Sequence, residues 1–304
     1  MREVWLLSAG DRPSLGREAP GAGLEAVVRV VLCADDYALS AGVSRGILDL
    51  AERGRISATG AMTTMPEWPR LAPALRGLAD RIGVGLHLNF TTAAPLGPLP
   101  GLAPSGAFPP LGELLQRAFL GRLPAVEVRA EIDRQLDAFE QAFGAPPAFV
   151  DGHQHVHVLP VIRPALLQAL QARGLQGRVW LRDPSDGVLA IVRREVSAHK
   201  ALLVKALATG FRRAARAAGF DTNEGFSGYS PFDPATSPER VFRQALAGLG
   251  PRPAVMAHPG YADDSLRALD AIAATRPHEL AYLASESFRD LLDERGIVLS
   301  PRPA

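Results

Sequence analysis

The chain has 304 residues, more than most layered domains need but within the usual range of one large α/β barrel. Its 33 Lys and Arg balance 32 Asp and Glu, so no bulk charge draws it to nucleic acid or to an anionic membrane. Apolar residues at 47% supply a core, and the single cysteine excludes an internal disulfide and a cysteine-based zinc site.

No apolar stretch reaches the ~20 residues that a bilayer span needs. The first 26 residues, interrupted by Arg2, Asp11, Arg12, Pro13, Arg17 and Pro20, lack the apolar core of a secretory signal. A cytoplasmic protein is expected, with residues 1–26 a poorly structured extension and 27–304 one domain.

A β-branched run at 27–32 predicts the first strand. Ser40 then caps a helix that buries Val43, Ile47, Leu48 and Leu50 and stops at Gly54. A strand at 56–62, a helix at 69–78 and a strand at 82–88 follow. The stretch 91–110, crowded with Pro and Gly, is too long for an ordinary connection and reads as a substrate loop or a surface insertion. A helix at 125–143 carries Val128, Ile132, Leu136 and Phe139 on one face and ends at Gly144. Strand 148–150, helix 162–172 and strand 179–181 continue the alternation. Residues 192–218 form a basic helical region, read as the solvated face of an amphipathic helix in preference to a surface for an anionic partner. Helix 238–249, strand 254–257, a helix within 277–294 and strand 297–299 close the chain.

Strands alternating with helices argue a parallel sheet with right-handed crossovers, and about seven such units favour a single distorted TIM-like (β/α) barrel over an open doubly wound sheet. No glycine-rich phosphate loop follows any strand, which removes the usual signature of nucleotide enzymes.

Five of the seven histidines fall just past predicted strands: His87, then His153, His155 and His157, then His258. Asp35 and Asp36 end the first strand in the same way. In α/β barrels this end carries the active site, so four segments point at one mouth. Adjacent carboxylates at an apolar strand end repel each other unless a cation compensates them; capping the next helix is the structural alternative. One carboxylate and two imidazoles leave positions open for water and substrate, as hydrolytic metal sites require. Residues two apart on a strand are separated by about 7 Å, so the three clustered histidines cannot share one ion unless the chain turns. His199 and His278 fall on predicted helices and read as surface groups, and Cys33 as buried core.

The segments Ala34-Asp35-Asp36-Tyr37-Ala38-Leu39-Ser40, Gly83-Val84-Gly85-Leu86-His87-Leu88-Asn89, Val150-Asp151-Gly152-His153-Gln154-His155-Val156-His157 and Ala257-His258-Pro259 resemble, in order and spacing, the motifs of the YdjC/ChbG carbohydrate deacetylases. The likeness runs from about residue 28 to 299 and extends toward the hopanoid-associated branch. Tyr37 and Ala38 stand where the family more often has Phe and Gly, and the extension before residue 27 has no counterpart. The resemblance implies a distorted TIM-like barrel that removes acetyl groups from N-acetylated sugars with a divalent metal, usually described as magnesium. Carried over by motif, Asp36, His87 and His153 are the metal ligands and Asp35 the base. Ligand softness alone suits zinc or cobalt.

The expected chemistry is metal-assisted amide hydrolysis, with His258 as the acid for the leaving amine. Asn89, His155, His157, Arg182 and Tyr229 are the expected substrate-facing groups, Tyr229 by stacking on a sugar ring. The partner is an acetylated sugar or a glycolipid headgroup, with a homodimer left open. The rival readings are another metal-dependent amidohydrolase or phosphoesterase on the same barrel, and a sugar-binding protein without turnover.

Overall fold

The computed structural model describes residues 27–304, so the expectation for residues 1–26 lies outside the described residues. Among the described residues nine strands form, β1 (Val28–Tyr37), β2 (Ala58–Ala61), β3 (Gly83–Leu88), β4 (Phe149–Gly152), β5 (Trp180–Leu181), β6 (Asp221–Thr222), β7 (Phe226–Ser227), β8 (Ala254–Ala257) and β9 (Ile297–Leu299). Every ladder between them is parallel. Eight run in the order β6-β5-β4-β3-β2-β1-β8-β7, and β9 adds to the start of β1. This is the expected distorted TIM-like barrel, with one open seam.

The two ends of that path, β6 and β7, are joined in sequence by residues 223–225 alone, so the chain itself spans the seam where a ladder is missing. Asn223 ties this connection to the end of β5: the side-chain oxygen accepts from Asp183 N at 2.7 Å and the amide donates to Asp183 O and Gly225 O at 2.9 Å.

Twelve α-helices among the described residues surround the sheet: α1 (Ala41–Glu52), α2 (Trp68–Arg76), α3 (Leu111–Phe119), α4 (Ala125–Phe143), α5 (Ile162–Ala172), α6 (Val188–Arg194), α7 (Ala198–Leu207), α8 (Phe211–Ala217), α9 (Pro238–Ala245), α10 (Asp264–Leu269), α11 (Arg276–Ala284) and α12 (Glu286–Glu294). Ser40 caps α1 by accepting from Val43 N, as its sequence position predicts. Among the described residues no helix is long and apolar enough to cross a membrane.

Alternation along the strands divides the core in two. Val30, Leu32 and Ala34 of β1 pack with helix residues in the larger cluster, whereas Val31 and Cys33 join Ala58, Phe149, Trp180, Phe226, Ala254 and Met256 inside the barrel. Phe149 and Trp180 stack at 4.8 Å and plug the interior. Gly85 makes room for them, since a Cβ there would lie 2.5 Å from the Phe149 ring.

The structure corrects several boundaries. β1 continues to Tyr37, through the Asp pair. The basic region 192–218 is divided among α6, α7 and α8, with breaks at Glu195 and Ser197 (φ 59° and 53°) and at Gly210 (φ 76°). Ser285 splits 277–294 into α11 and α12 by accepting from Phe288 N, a cap for the second helix. The stretch 91–110 leads into α3, which its composition did not announce. It is tied down by α4, whose Glu131 accepts from Leu96 N at 3.0 Å and Glu127 from Leu102 N at 2.8 Å.

Candidate active site

Along a regular strand Asp35 follows Val31 and Cys33 into the barrel, while Asp36 follows Leu32 and Ala34 toward the helices. The backbone breaks that rule. Asp36 has φ 73°, and the β1–β2 register shifts between Ala34 and Tyr37. A non-glycine residue in this region costs about 1–3 kcal/mol, and such irregularities beside sites re-aim side chains. Here both carboxylates line one cavity of about 540 Å³ at the barrel mouth.

The clustered histidines also reach different places because the chain turns. A 3-10 segment, His153–Val158, starts directly after β4, with Gln154 and His155 at φ 52° and 60°. His153 Nδ1 lies 2.8 Å from Asp36 Oδ1. His155 sits edge-on to Phe226 and Tyr229, at 5.9 and 5.7 Å. His157 turns away from the cavity, fully buried, with Nε2 donating to Arg182 O at 2.7 Å.

A chain of opposite charges runs beneath the mouth. Arg182, fully buried, grips Asp35 with both terminal nitrogens at 2.7 and 2.8 Å and lies 2.8 Å from Asp151 Oδ2. Asp151 Oδ1 is 2.6 Å from His87 Nδ1, which leaves His87 Nε2 turned to Asp36 Oδ1 at 3.2 Å. Burial opposes ionisation of Asp35, but Arg182, helped by His87, outweighs it and holds the carboxyl well below the usual range. Asp36 is lowered too, against burial, by His153 and Arg276. For His87 burial favours the neutral ring, yet Asp151 and then Asp35 push its pKa up to about 10. The three buried carboxylates thus face two guanidiniums and a set of imidazoles around one cavity.

His258 ends β8 in the same cavity, its ring edge-on to Phe232 at 5.2 Å and its backbone N donating to Glu279 Oε2 at 2.7 Å. Its Nδ1 has no partner among the described residues. Burial pushes its pKa down, although Asp36 and Asp35 pull the other way.

Asp35, Asp36, His87, His153, His155, Tyr229 and His258 therefore come together around the cavity, as four converging strand ends predict. Asn89, His157 and Arg182 do not line it. Asn89 is fully buried and roots the 91–110 loop, accepting from Thr91 N and Thr92 N and donating to Thr92 O. Sequence reasoning left three contributors without a role: Asp151, present in a quoted motif, and Arg276 and Glu279, which no motif marks.

The donor set fits a divalent ion. One ligand atom from each of Asp36, His87 and His153 lies within 4.8 Å of the others. Asp151 fixes the far side of His87, the carboxylate–imidazole arrangement that orients metal-binding histidines. A second group, Cys33, Asp35 and Asp151, also converges, but Arg182 already compensates both its carboxylates. Burial, reinforced by Asp35, keeps the Cys33 thiol protonated.

The family model described as YdjC-like protein matches residues 29–294. A chitooligosaccharide deacetylase of Enterobacter sp. (strain 638) is 32% identical over 272 residues, 88% of this chain and 95% of the relative. A carbohydrate deacetylase of Mus musculus is 31% identical over 303 residues, covering 90% and 93%. A solved structure from Enterococcus faecalis V583, named for cellobiose-phosphate cleavage, superposes with a TM-score of 0.69 at 22% identity over 90% of this chain and 97% of its own. That likeness bears on the fold; the matched motifs and both relatives bear on descent, and the chain belongs to the YdjC-like protein family.

Proposed function

We propose that the protein is a metal-dependent carbohydrate deacetylase that hydrolyses the N-acetyl amide of an acetylated sugar or glycolipid headgroup. The observation that carries this reading is the division between two adjacent buried carboxylates: Asp36 turns one oxygen to two imidazoles and the other to a guanidinium, while both oxygens of Asp35 are gripped by a guanidinium. The deacetylase names of relatives matched over most of their length support it.

Asp36, His87 and His153 would hold the ion, which when bound polarises the amide carbonyl and acidifies a water molecule. Asp35 would take the proton from the attacking water. Its bidentate pairing with Arg182 keeps it ionised and fixed, and each oxygen retains a second lone pair for the proton. His258 is the acid for the leaving amine: it lines the cavity and has a ring nitrogen without a hydrogen-bond partner among the described residues. His155 and Tyr229 offer an aromatic edge to the sugar, and the Tyr229 hydroxyl is committed to Pro184 O at 2.7 Å. Buried Arg182, His157 and Asn89 serve as supports, for Asp35, for Arg182 and for the loop.

Acetate release from N-acetylglucosamine mono- and oligosaccharides tests the reading, using protein stripped of metal and resupplied with magnesium, zinc or cobalt. Release restored by one ion is the expected result. Hydrolysis of a phosphate ester or cyclic amide, with none of N-acetyl sugars, would favour the amidohydrolase or phosphoesterase alternative. Sugar binding without release under any ion would favour a binding protein.

A further inference from the structure

The cation beside Asp36 is the feature that the proposed chemistry does not use. Arg276 opens α11, is 1% exposed, and lines the active cavity. Its Nη2 donates to Asp36 Oδ2 at 2.6 Å and its Nε to Asp270 Oδ2 at 2.6 Å, while Nη1 is buried without a partner among the described residues. Asp36 Oδ1 faces His87 and His153 instead. The two oxygens of one carboxylate are thus divided between a fixed cation and the imidazole pair. One turn further on, Glu279 holds the backbone of His258, so a single face of α11 touches two strand ends of the site.

We propose that Arg276 is a positioning residue that restricts Asp36 to one-oxygen ligation and deliberately weakens metal binding in favour of turnover. The proposal rests on the metal reading given above. A carboxylate free to swing would offer both oxygens to an ion, fill a coordination position needed by water or substrate, and give up more of its negative charge. A guanidinium on Oδ2 blocks the second oxygen and shares that charge. Asp270 acts as the counterweight: it takes part of the Arg276 charge, and its other oxygen accepts from Ile272 N at 3.1 Å, which anchors it in the turn before α11.

The consequence has an unusual sign. Losing an ordinary support of a metal ligand weakens metal binding and activity together. Losing a cation that competes for the ligand strengthens metal binding while turnover falls.

The test is a calorimetric titration of the stripped full chain with Zn²⁺ and with Co²⁺, beside acetate release at saturating ion and thermal unfolding of each variant. R276M is expected to bind the ion about tenfold more tightly, from removal of a neighbouring like charge. Its kcat is expected to fall about tenfold or more. R276K, which keeps the charge, should return the affinity to within about threefold of wild type. D270N leaves the guanidinium to Asp36 alone and should weaken binding several-fold, so the scheme stays testable even where R276M does not fold. Weaker binding by R276M than by wild type, or tighter binding by D270N, would overturn the proposal while leaving the deacetylase reading intact. Wild-type protein that binds neither ion, nor magnesium, would remove the metal reading and this inference with it.

Discussion

The adjacent carboxylates of β1 are handled by different parts of the barrel. Asp35 points inward, and both its oxygens are held by a guanidinium from the neighbourhood of β5, itself fully buried and tied to Asp151 of β4. Asp36 is swung round by a left-handed residue, and its partners come from β3, the turn after β4 and α11 on the outer layer. Two like charges in sequence thus acquire unlike surroundings, because the strand's alternation turns one toward the barrel interior at the floor of the cavity and a backbone irregularity swings the other onto its wall.

The largest expected break in that division is in rate. Asp35→Asn should lower acetate release by a factor of about 10²–10⁴, the usual range for losing a general base, with thermal stability changed far less. Next is stability from the same side. Arg182→Met leaves Asp35 and Asp151 buried without their cation and should destabilise by about 3–5 kcal/mol, read as a shift in the urea midpoint at constant slope. Asn223→Ala removes the tie between the β6–β7 connection and the end of β5 and should cost about 1–3 kcal/mol, since buried partners at Asp183 lose their hydrogen bonds.

The smallest effect is on pH. His157 is buried with its pKa lowered to about 4, chiefly by desolvation, and His155 and His258 are lowered in the same direction. The unfolded chain binds these protons at higher pH than the folded one. Their stability contribution is therefore complete above pH 6.5 and is lost as pH falls below it, for His157 down to about 4, by up to about 1.4 kcal/mol per unit. His87 is shifted the other way, to about 10, so in metal-free protein its contribution is complete below 6.5 and is lost as pH rises through 10. His157→Gln, which keeps a donor for Arg182 O, should lose less stability than wild type between pH 7 and 5 in urea titrations. An unchanged slope would show that His157 is not among the groups that titrate on unfolding.

Much of this was legible beforehand where local chemistry is sparse and patterned. α4 and α5 occupy the expected residues because apolar periodicity and the Gly144 stop (φ 86°) agree. The histidines at strand ends converge because so few other positions in a parallel barrel gather side chains at one face. The strands β6 and β7 were not legible, since two residues each carry no periodicity. Nor was Arg276, whose surroundings in sequence resemble those of many surface arginines and whose partner, Asp36, lies 240 residues away. The separation of the three clustered histidines depends on two positive φ angles at Gln154 and His155, residues with no glycine to announce them.

The most direct test of the division between the carboxylates is one metal titration run side by side on wild type, Asp35→Asn and Asp36→Asn, each stripped and shown to be folded. Asp35→Asn is expected to bind the ion within about tenfold of wild type, the loss of one nearby negative charge, and Asp36→Asn to lose binding. Loss of metal from Asp35→Asn, or its retention by Asp36→Asn, would contradict that division.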